Sequence, residues 1–339
     1  MLPSERLSLV TGAGGFLGRY LTAALLEQGE RVRALDTHVD ALGGLAASPR
    51  LELVTADVCD PEVQARALRG VQTVFHLAAA HLGVSAGEEE FRRVNVDGSR
   101  TLAIASSAAG VRRFVHCSSV GVYGSIPSPP ADEDSPCRPE LVYERTKLEG
   151  EMEVRAASEQ GLDVVILRPV WIYGPGCGRT EKLLSSIRKG RFLVAGSGEG
   201  LRHCISIWDA VDAFLLARDA DVESGTVLIV GDRRPVTVRE LVDTIAQVVD
   251  ARPPRAIPFA LFAVIAAGAE AAFRPLGKEP PVSRRTLRFF TGNTAFDVTR
   301  ARNELGFSAR DDLATGLRRT DRWLREHRAE EWLSLERSA

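Results

Sequence analysis

The sequence predicts an α/β protein with a doubly wound parallel sheet of about seven strands and a smaller C-terminal substrate-binding lobe. Three observations support this prediction. Short β-branched runs alternate with segments of helical period through the first two thirds of the chain, a glycine-rich turn joins the first run to the first helix, and polar residues directly follow several runs. The last pattern matters because ligands of such sheets bind beyond the carboxyl ends of the strands.

Seven apolar runs and five helical segments make up the alternation. The candidate strands are Leu7–Thr11, Arg31–Asp36, Leu51–Ala56, Thr73–Leu77, Arg113–Ser118, Asp163–Leu167 and Thr226–Val230. The candidate helices are Leu17–Gln28, Pro61–Leu68, Phe91–Ala109, Glu140–Glu159 and Trp208–Arg218. Helical crossovers between strands place helices on both faces of a parallel sheet. We therefore expect the polar residues that follow the runs to line one edge of the sheet: Asp57, His76, Ser119 and Arg168.

The turn after the first strand has the composition of a phosphate-binding loop. Gly12 can adopt the positive φ of a tight turn, Gly15 lets backbone approach a pyrophosphate, and Gly18 lets the helix pack closely on the strand. The helix that follows offers free N–H groups to phosphates. The candidate dinucleotide contacts in this turn are Gly12, Gly14, Gly15, Phe16, Leu17 and Gly18.

Asp36 ends the second candidate strand. A carboxylate in this place accepts hydrogen bonds from the ribose hydroxyls of adenosine and repels a 2′-phosphate. The sequence therefore predicts NAD as the cofactor in preference to NADP. The alternative is that Asp36 is a solvated turn residue.

Tyr143 and Lys147 are the candidate acid/base pair. Residues i and i+4 share a helix face, so the phenol and the ammonium are expected to point the same way. A free tyrosine titrates near pH ~10, and a neighbouring positive charge is expected to lower its pKa. Tyr143 could then accept the proton of a substrate hydroxyl as hydride leaves for NAD, or donate it in the reverse direction. Ordinary surface helices also contain this spacing.

Ser119 follows the fifth candidate strand. A hydroxyl at the carboxyl end of a strand can hydrogen-bond the reacting oxygen of a substrate. Ser118 is the competing candidate, and either serine could instead be a strand-end cap. Neither Ser118 nor Ser119 lies in a Gly-x-Ser-x-Gly motif, which would indicate a nucleophilic serine.

Composition narrows the choice of partners and location. The net charge of −2 gives no reason to expect nucleic acid or an anionic membrane as a partner. The five cysteines are scattered without CxxC spacing, which argues against a disulfide framework and a zinc site and favours a reducing cytosol. The apolar stretch Ala256–Ala269 is too short to span a bilayer, so a buried or interfacial helix is expected. We expect a cytoplasmic enzyme with a small-molecule substrate, no metal and no stable membrane insertion.

Two parts of the chain interrupt the alternation. Gly124–Pro139 is rich in Pro, Ser and Asp and is expected to form a loop over the sheet edge.

The chain is predicted to divide into two parts. An NAD-binding domain comprises 1–169, with a returning strand and helix near 206–231, and a substrate-binding lobe comprises 170–205 and 232–339. The charged residues Glu326–Ala339 are expected to form a solvated helix end.

Taken together, the motifs resemble those of one known family, the extended short-chain dehydrogenase/reductases, or NAD-dependent epimerase/dehydratase superfamily. The resemblance extends over nearly the whole chain, with later similarities at Ile207–Asp209 and Ala301–Phe307. The motifs that carry it are Thr11–Gly18, Asp57-Val58, His76–Ala79, Val94–Gly98, Ser118-Ser119 with Val122–Gly124, Tyr143 with Lys147, and Leu167–Pro169 with Tyr173–Pro175.

The resemblance implies roles for individual residues. Ser119, Tyr143 and Lys147 would be the catalytic trio, with Lys147 also holding the nicotinamide ribose. The remaining cofactor contacts would be Asp57 and Val58 at the adenine, Leu77, Ala78 and Ala79 at the central portion, and Pro169 and Val170 at the carboxamide. It also suggests a homodimer through Phe91–Ala109 and Glu140–Glu159.

Several of these residues also have structural interpretations. His76 is expected to support backbone rather than carry a proton, and Asn95 is expected to brace backbone. Asp57 could cap the helix that begins near Pro61. Arg202 and His203 could contact substrate or lie in a turn.

Members of the family catalyse different reactions, and residues around the substrate are expected to determine which one this chain catalyses. Nucleotide-sugar epimerases commonly carry an asparagine in the segment that here reads Arg168–Pro175, where Trp171 occurs instead. Dehydratases usually have an acidic pair where this chain has Val120 and Gly121. The apolar stretch Ile257–Phe273 resembles the 3β-hydroxysteroid dehydrogenase branch, although Arg202 resembles an arginine that grips a sugar-nucleotide diphosphate.

The sequence thus predicts an NAD-dependent oxidoreductase that interconverts a secondary alcohol and a ketone on a hydrophobic or cyclic substrate. Ser119, Trp171 and Arg202 are the candidate substrate contacts. A nucleotide-sugar 4-epimerase or dehydratase is the alternative. A catalytically silent dinucleotide sensor is the third hypothesis, and the intact trio argues against it, because a sensor needs no acid/base phenol.

Overall fold

A parallel seven-stranded sheet organises the chain in the computed structural model, which describes residues 6–80, 87–273 and 284–328. The strands in these ranges are β1 (Leu7–Thr11), β2 (Arg31–Asp36), β3 (Leu51–Thr55), β4 (Thr73–His76), β5 (Arg113–Cys117), β6 (Val164–Pro169), β7 (Trp171–Tyr173), β8 (Leu193–Ala195), β9 (Leu201–Arg202), β10 (Cys204–Ser206), β11 (Thr226–Val230), β12 (Val236–Thr237) and β13 (Arg255–Ile257). The main sheet has the order β11-β6-β5-β4-β1-β2-β3. The predicted doubly wound fold is confirmed.

Helices cover both faces of this sheet and build the lobe. They are α1 (Phe16–Glu27), α2 (Pro61–Ala67), α3 (Glu88–Arg92), α4 (Ser99–Ala108), α5 (Val142–Ser158), α6 (Gly178–Arg188), α7 (Ile207–Asp219), α8 (Val238–Val248), α9 (Phe259–Phe273), α10 (Arg284–Thr291), α11 (Thr299–Leu305) and α12 (Leu313–His327). Within the described ranges, none of them has the length and apolar character needed to cross a bilayer. The segment 329–339 of the predicted charged helix end lies outside the described residues.

The seven predicted strands of the sheet are confirmed, with shifts of one or two residues at some ends. The predicted helix Phe91–Ala109 differs, because α3 and α4 are joined by a π-helical turn, Arg93–Gly98. A close backbone approach explains the wider turn, since a Cβ on Gly150 of α5 would lie 2.2 Å from the Asn95 carbonyl oxygen. π-Helical turns are rare and occur mostly as single turns within longer helices, as between α3 and α4 here.

Three apolar cores hold the layers together. One packs α1 and α7 on one face of the sheet through residues such as Leu21 and Phe214, and a second packs α2, α4 and α5 on the other through Leu102 and Val154. The third lies in the C-terminal lobe among α6, α8, α9 and α12. Every residue of β1 is buried, as expected for a strand covered on both faces.

The loop at Gly124–Pro139 runs over the edge of the sheet, as predicted. Ala131 forms an isolated β-bridge with Phe296. The Glu133 carboxylate accepts a hydrogen bond from the Ile229 N–H of the edge strand β11 at 2.7 Å. The loop therefore satisfies a backbone donor that an uncovered edge would leave free.

Candidate active site

The glycine turn between β1 and α1 forms a tight backbone cradle. Gly12 has φ = 69°, and a Cβ there would lie 2.6 Å from the Ala78 nitrogen. A Cβ at Gly18 would lie 2.1 Å from the Gly12 carbonyl oxygen. Only glycine fits these two positions without displacing backbone, which is the steric requirement of a pyrophosphate-binding turn.

The residues that follow the cradle fix α1 in place. Leu17 is buried in the core, and the Phe16 ring packs edge-on against Tyr20. The next turn is tied to the chain beyond β7, because the Arg19 guanidinium and the Tyr20 hydroxyl both donate to the Pro175 carbonyl oxygen, at 3.0 and 2.9 Å. The helix that follows the cradle is therefore fixed by core packing on one side and by the hydrogen bonds to Pro175 on the other.

Asp36 lies beside this cradle at the end of β2. Its carboxylate accepts hydrogen bonds from the Gly14 N–H at 3.0 Å and from the His38 N–H at 2.9 Å. A Cβ on Gly14 would also lie 1.9 Å from the His38 carbonyl oxygen. The side chain is only partly buried, so an acceptor for ribose hydroxyls stands next to the turn.

The other residues expected at the adenine and the central portion of the cofactor lie at neighbouring strand ends. Leu77 and Ala78 donate their N–H groups to the Thr11 backbone and hydroxyl oxygens at 3.2 and 3.3 Å. Val58 is buried, and Ala79 is partly buried. The Asp57 carboxylate accepts from the Cys59 N–H at 2.8 Å.

Asp57 is not the cap of α2, so that alternative is wrong. The cap is Asp60, whose carboxylate accepts from the N–H groups of Glu62 and Val63. Asp57 instead pairs with Arg93 at 2.8 Å. Although partial burial opposes it, the hydrogen bonds from Cys59 and Arg93 lower the pKa of the Asp57 carboxyl.

His76 and Asn95 have the structural roles expected of them. The two His76 ring nitrogens contact the hydroxyls of Thr11 and Ser99 at 2.8 and 2.9 Å, and burial lowers the pKa of this imidazole to about 3. The Asn95 side chain accepts from the Ala80 N–H at 2.8 Å and donates to the Ala80 carbonyl oxygen. A neutral, fully hydrogen-bonded imidazole is not suited to carry protons.

Helix α5 brings the candidate trio to the carboxyl end of β5. Glu144 accepts from the backbone N–H groups of Glu140 and Leu141, which satisfies free donors at the start of the helix. Ser119 follows β5, accepts from the Gly121 N–H at 3.1 Å and hydrogen-bonds the Tyr143 phenol. The buried Lys147 ammonium donates to the Cys117 carbonyl oxygen at 2.5 Å.

The electrostatics of Tyr143 differ from the expectation. Burial raises the pKa of its phenol, while the hydrogen bond with Ser119 and the charge of Arg179 lower it. Burial also lowers the pKa of the Lys147 ammonium. In the chain alone, desolvation outweighs the nearby positive charges and the pKa of Tyr143 is raised rather than lowered, and the effect of Lys147 on a phenolate stays a prediction. With a raised pKa, the Tyr143 phenol is protonated at neutral pH and can donate its proton.

Ser118 has a different environment from Ser119. Its hydroxyl donates to the Glu151 carboxylate, which also receives two hydrogen bonds from the Arg168 guanidinium at 2.9 and 2.6 Å. Arg168 donates as well to the Tyr123 hydroxyl at 2.6 Å. Ser118 and Arg168 thus belong to a buried polar network beneath the strand ends, and removing one partner of such a buried pair costs about 3–5 kcal/mol.

Pro169, Val170 and Trp171 continue the chain across the end of the sheet. Pro169 ends β6 opposite Val230, and the Val170 N–H donates to the Val230 carbonyl oxygen at 3.0 Å. The Trp171 ring lies edge-on to Phe289 at 6.5 Å. Its indole N–H is buried and has no hydrogen-bond partner within the described ranges.

Arg202 lies on β9, and His203 is the residue between β9 and β10. Arg202 is buried on β9, donates to the carbonyl oxygens of Phe289 and Gly292, and stacks on the Phe289 ring at 4.9 Å. Burial lowers the pKa of its guanidinium to about 10. The His203 ring contacts the Asp232 carbonyl oxygen and the Phe296 N–H. Both side chains therefore tie the lobe together in this conformation.

Arg179 is a site residue that the sequence reasoning missed. It is exposed near the start of α6, its guanidinium stands 6.0 Å from the centre of the Trp171 ring, and its charge acts on Tyr143. No sequence pattern links it to the trio, because only the folding of the lobe brings the start of α6 within electrostatic range of Tyr143. In the described ranges, no group of three His, Cys, Asp or Glu residues is placed to hold a metal ion.

Comparisons with a family model and with known proteins agree on one family for this chain. Residues 8–231 match the model of the NAD dependent epimerase/dehydratase family. Sterol demethylase protein B of Methylococcus capsulatus is 34% identical over 316 residues, which cover 88% of this chain and 92% of that protein. The 3beta-hydroxysteroid-dehydrogenase/decarboxylase isoform 1 of Arabidopsis thaliana is 28% identical over 355 residues, covering 94% of this chain and 79% of that protein.

A solved structure is also similar over almost its full length. It is a dTDP-glucose 4,6-dehydratase from Streptomyces venezuelae with NAD and TYD bound. The TM-score is 0.78 at 28% identity, and the match covers 97% of this chain and 99% of that one. The similar proteins therefore include both sterol enzymes and a nucleotide-sugar enzyme, and the predicted cofactor, NAD, is confirmed.

Proposed function

Because the chain belongs to the NAD-dependent epimerase/dehydratase family of extended short-chain dehydrogenase/reductases, we propose that it interconverts a secondary alcohol and a ketone on a hydrophobic, cyclic substrate of the 3β-hydroxysteroid kind. The observation that carries this proposal is the meeting of Tyr143 and Ser119 beside an aromatic wall that begins at Trp171. The polar pair provides acid/base chemistry, and the wall provides the apolar surface that such a substrate needs.

The proposed mechanism uses the trio in three roles. NAD, when bound, accepts hydride in the oxidation or supplies it in the reduction. In the oxidation, the C–H electron pair leaves with the hydride, the O–H bond breaks, and the Tyr143 phenolate takes the proton. Ser119 donates a hydrogen bond to the reacting oxygen, and the Lys147 ammonium stabilises the phenolate from the same helix face. In the reduction, the Tyr143 phenol donates its proton to the ketone oxygen.

The glycine cradle and Asp36 would hold the dinucleotide. Gly12 and Gly18 allow the close backbone approach that a pyrophosphate requires. Asp36 would accept the adenosine ribose hydroxyls, and its charge disfavours the extra phosphate of NADP. Asp57, Val58 and Leu77–Ala79 would border the adenine and the central portion, with Pro169 and Val170 at the carboxamide.

An apolar substrate is favoured by the side chains around Trp171. Trp171 and Phe289, whose rings lie 6.5 Å apart, are partly exposed and would form the wall. Phe290 and Phe262 are buried behind them in the lobe core, with 5.3 Å from Phe289 to Phe290 and 5.3 Å from Phe290 to Phe262. Each methylene buried against such a wall contributes about 0.8 kcal/mol to binding. Two similar proteins are named as sterol or hydroxysteroid enzymes, which agrees with this substrate class.

A nucleotide-sugar 4-epimerase or dehydratase is the second candidate. The likeness to the dTDP-glucose 4,6-dehydratase and the position of Arg202 favour it. Two features of this chain speak against it. Val120 and Gly121 stand where dehydratases usually carry an acidic pair, and the Arg202 guanidinium already donates to main-chain carbonyls of the lobe. A silent dinucleotide sensor is disfavoured because it would not need the Ser119–Tyr143 contact.

The proposal extends to the organisation of the protein. Residues 1–169, with 206–231, would form the NAD-binding domain, and 170–205 with 232–339 would form the substrate lobe. The working form would be a cytoplasmic homodimer. Exposed apolar side chains on two neighbouring helices, Ile104 of α4 and Met152 of α5, support such a dimer.

A substrate panel tests the proposed reaction. The purified chain with NAD is offered a 3β-hydroxysteroid, an aliphatic secondary alcohol, dTDP-glucose and UDP-glucose, with NADH absorbance and chromatography of the nucleotide sugars as readouts. We expect NADH from the hydroxysteroid and unchanged nucleotide sugars. Conversion of UDP-glucose to UDP-galactose, or of dTDP-glucose to its 4-keto-6-deoxy product, without net NADH would establish the second candidate instead.

A further inference from the structure

Helix α9 carries an apolar face that no described residue covers. Phe262 and Ala266 are buried in the lobe core, so one side of the helix is packed. On the other side, Leu261, Val264 and Ile265 are 49%, 69% and 41% exposed. Their i, i+3, i+4 spacing places them together on one face.

The exposed face extends along the whole helix. Phe259 at its first turn is 39% exposed, and the remaining exposed positions are small and uncharged: Ala260, Ala267, Gly268, Ala271 and Ala272. Single exposed apolar residues are ordinary, but a continuous apolar patch on a protein surface marks an interaction site. With 15 residues, α9 is about 22 Å long, which is too short to cross a bilayer but long enough to lie along one.

Exposed arginines lie at the N-terminal end of this face. Arg252 and Arg255 directly precede α9, and Arg255 on β13 is paired with Leu193 on β8, two residues after Arg191. In the part of the chain that the structure describes, none of the three arginines is ion-paired with a carboxylate. Leu193, between them, is itself 36% exposed. The near-neutral net charge of the chain hides this local cluster.

We propose that α9 docks the enzyme on an anionic lipid surface. The apolar face of α9 enters the boundary between headgroups and acyl chains, and Arg191, Arg252 and Arg255 contact the lipid phosphates. An apolar helix lying flat with basic residues beside it is the arrangement of peripheral membrane binding. Such docking differs from stable insertion, which the sequence argues against.

Charge favours lipid over a second copy of the chain as the occupant. The exposed residues of α9 are all uncharged, and its carboxylate, Glu270, is only partly exposed and is already engaged in another interaction, so a symmetric partner helix would offer no exposed carboxylate to the three arginines. An anionic bilayer satisfies the apolar face and the arginines at once. The inference goes beyond the proposed reaction and holds for either substrate class.

Vesicle flotation tests the proposal on the full chain. Phosphatidylcholine vesicles with and without phosphatidylglycerol are mixed with the wild type, with Val264→Glu and with the matched control Leu216→Glu. Leu216 is an apolar residue of α7 that is 39% exposed away from the arginine cluster. We expect the wild type and L216E to float with the anionic vesicles and V264E to remain unbound.

A charge variant provides a second, independent arm. The combined Arg191→Gln, Arg252→Gln and Arg255→Gln variant should lose about fivefold in affinity per arginine for anionic vesicles. These side chains are exposed, so the substitutions leave the packing of the lobe unchanged. Failure of the wild type to float, or flotation of V264E equal to that of the wild type, would overturn the proposal. A V264E variant whose mass by light scattering falls to half that of the wild type would identify the face as a contact between copies and would overturn it too.

Discussion

At the scale of single residues, the position of Tyr143 decides its chemistry. Its phenol is desolvated, which raises its pKa, while the hydrogen bond with Ser119 and the charge of Arg179 favour the phenolate. The spacing of Tyr143 and Lys147 in the sequence correctly places them on one helix. It could not reveal desolvation, which depends on every layer around the ring, or Arg179, which comes from a distant helix.

Tyr143→Phe should abolish turnover, with a loss of about 10²–10⁴-fold in kcat, and leave NAD affinity within a factor of about two. The matched control is Tyr173→Phe, because the buried Tyr173 hydroxyl has no hydrogen-bond partner among the described residues, so its removal breaks no hydrogen bond there. Steady-state kinetics and titration of NAD binding measure both effects. Near-wild-type turnover by Y143F would exclude the acid/base role.

The raised pKa of Tyr143 also predicts the pH dependence of the two directions. The oxidation needs the phenolate, so kcat/KM of the wild type should still be rising at about pH 10, whereas the reduction needs the phenol and should be nearly flat between about pH 7 and pH 10.

At the scale of elements, the alternation of apolar and helical segments was sufficient to predict all seven strands of the main sheet. The details that differ have local causes. The cap of α2 is Asp60 rather than Asp57, since only Asp60 directly precedes the first helical residue. The π-turn between α3 and α4 depends on contact between Asn95 and Gly150 of α5, which no periodicity in either segment encodes.

Gly18→Ala tests the packing of α1 on β1. The added Cβ would lie 2.1 Å from the Gly12 carbonyl oxygen, so the cradle must shift, with an expected cost of about 1–3 kcal/mol and weaker NAD binding. Gly44→Ala is the control, because a Cβ at Gly44 meets no atom within 4 Å. Thermal unfolding and NAD titration compare the two variants. Equal behaviour of G18A and G44A would contradict the tight contact.

At the scale of the whole molecule, the sheet and its cofactor edge follow from sequence pattern, while the lobe does not. Its short strand pairs join residues far apart in the chain, such as Arg255 with Leu193. Arg202 shows the consequence, since the sequence left open whether it contacts substrate or lies in a turn. It lies on a strand and is bound to main-chain carbonyls of a segment about ninety residues later.

The homodimer proposed through α4 and α5 remains to be tested in solution. Ile104 and Met152 are 50% and 64% exposed on these adjacent helices, which Arg100 and Glu153 also bridge at 3.9 Å. Ile104→Glu combined with Met152→Glu should place unpaired carboxylates in the interface and convert the dimer to a monomer in light scattering. L216E is expected to keep the wild-type mass. A wild type that is already monomeric would rule out the proposed dimer.

The bonds from Arg19 and Tyr20 to the Pro175 carbonyl oxygen couple two distant parts of the chain. The first helical turns after the glycine cradle cannot separate from the segment that leads into α6 without breaking both. Dissociation of the dinucleotide and exchange of the substrate would therefore both require these two hydrogen bonds to break. Removing them should speed cofactor exchange and lower the selectivity among alcohol substrates.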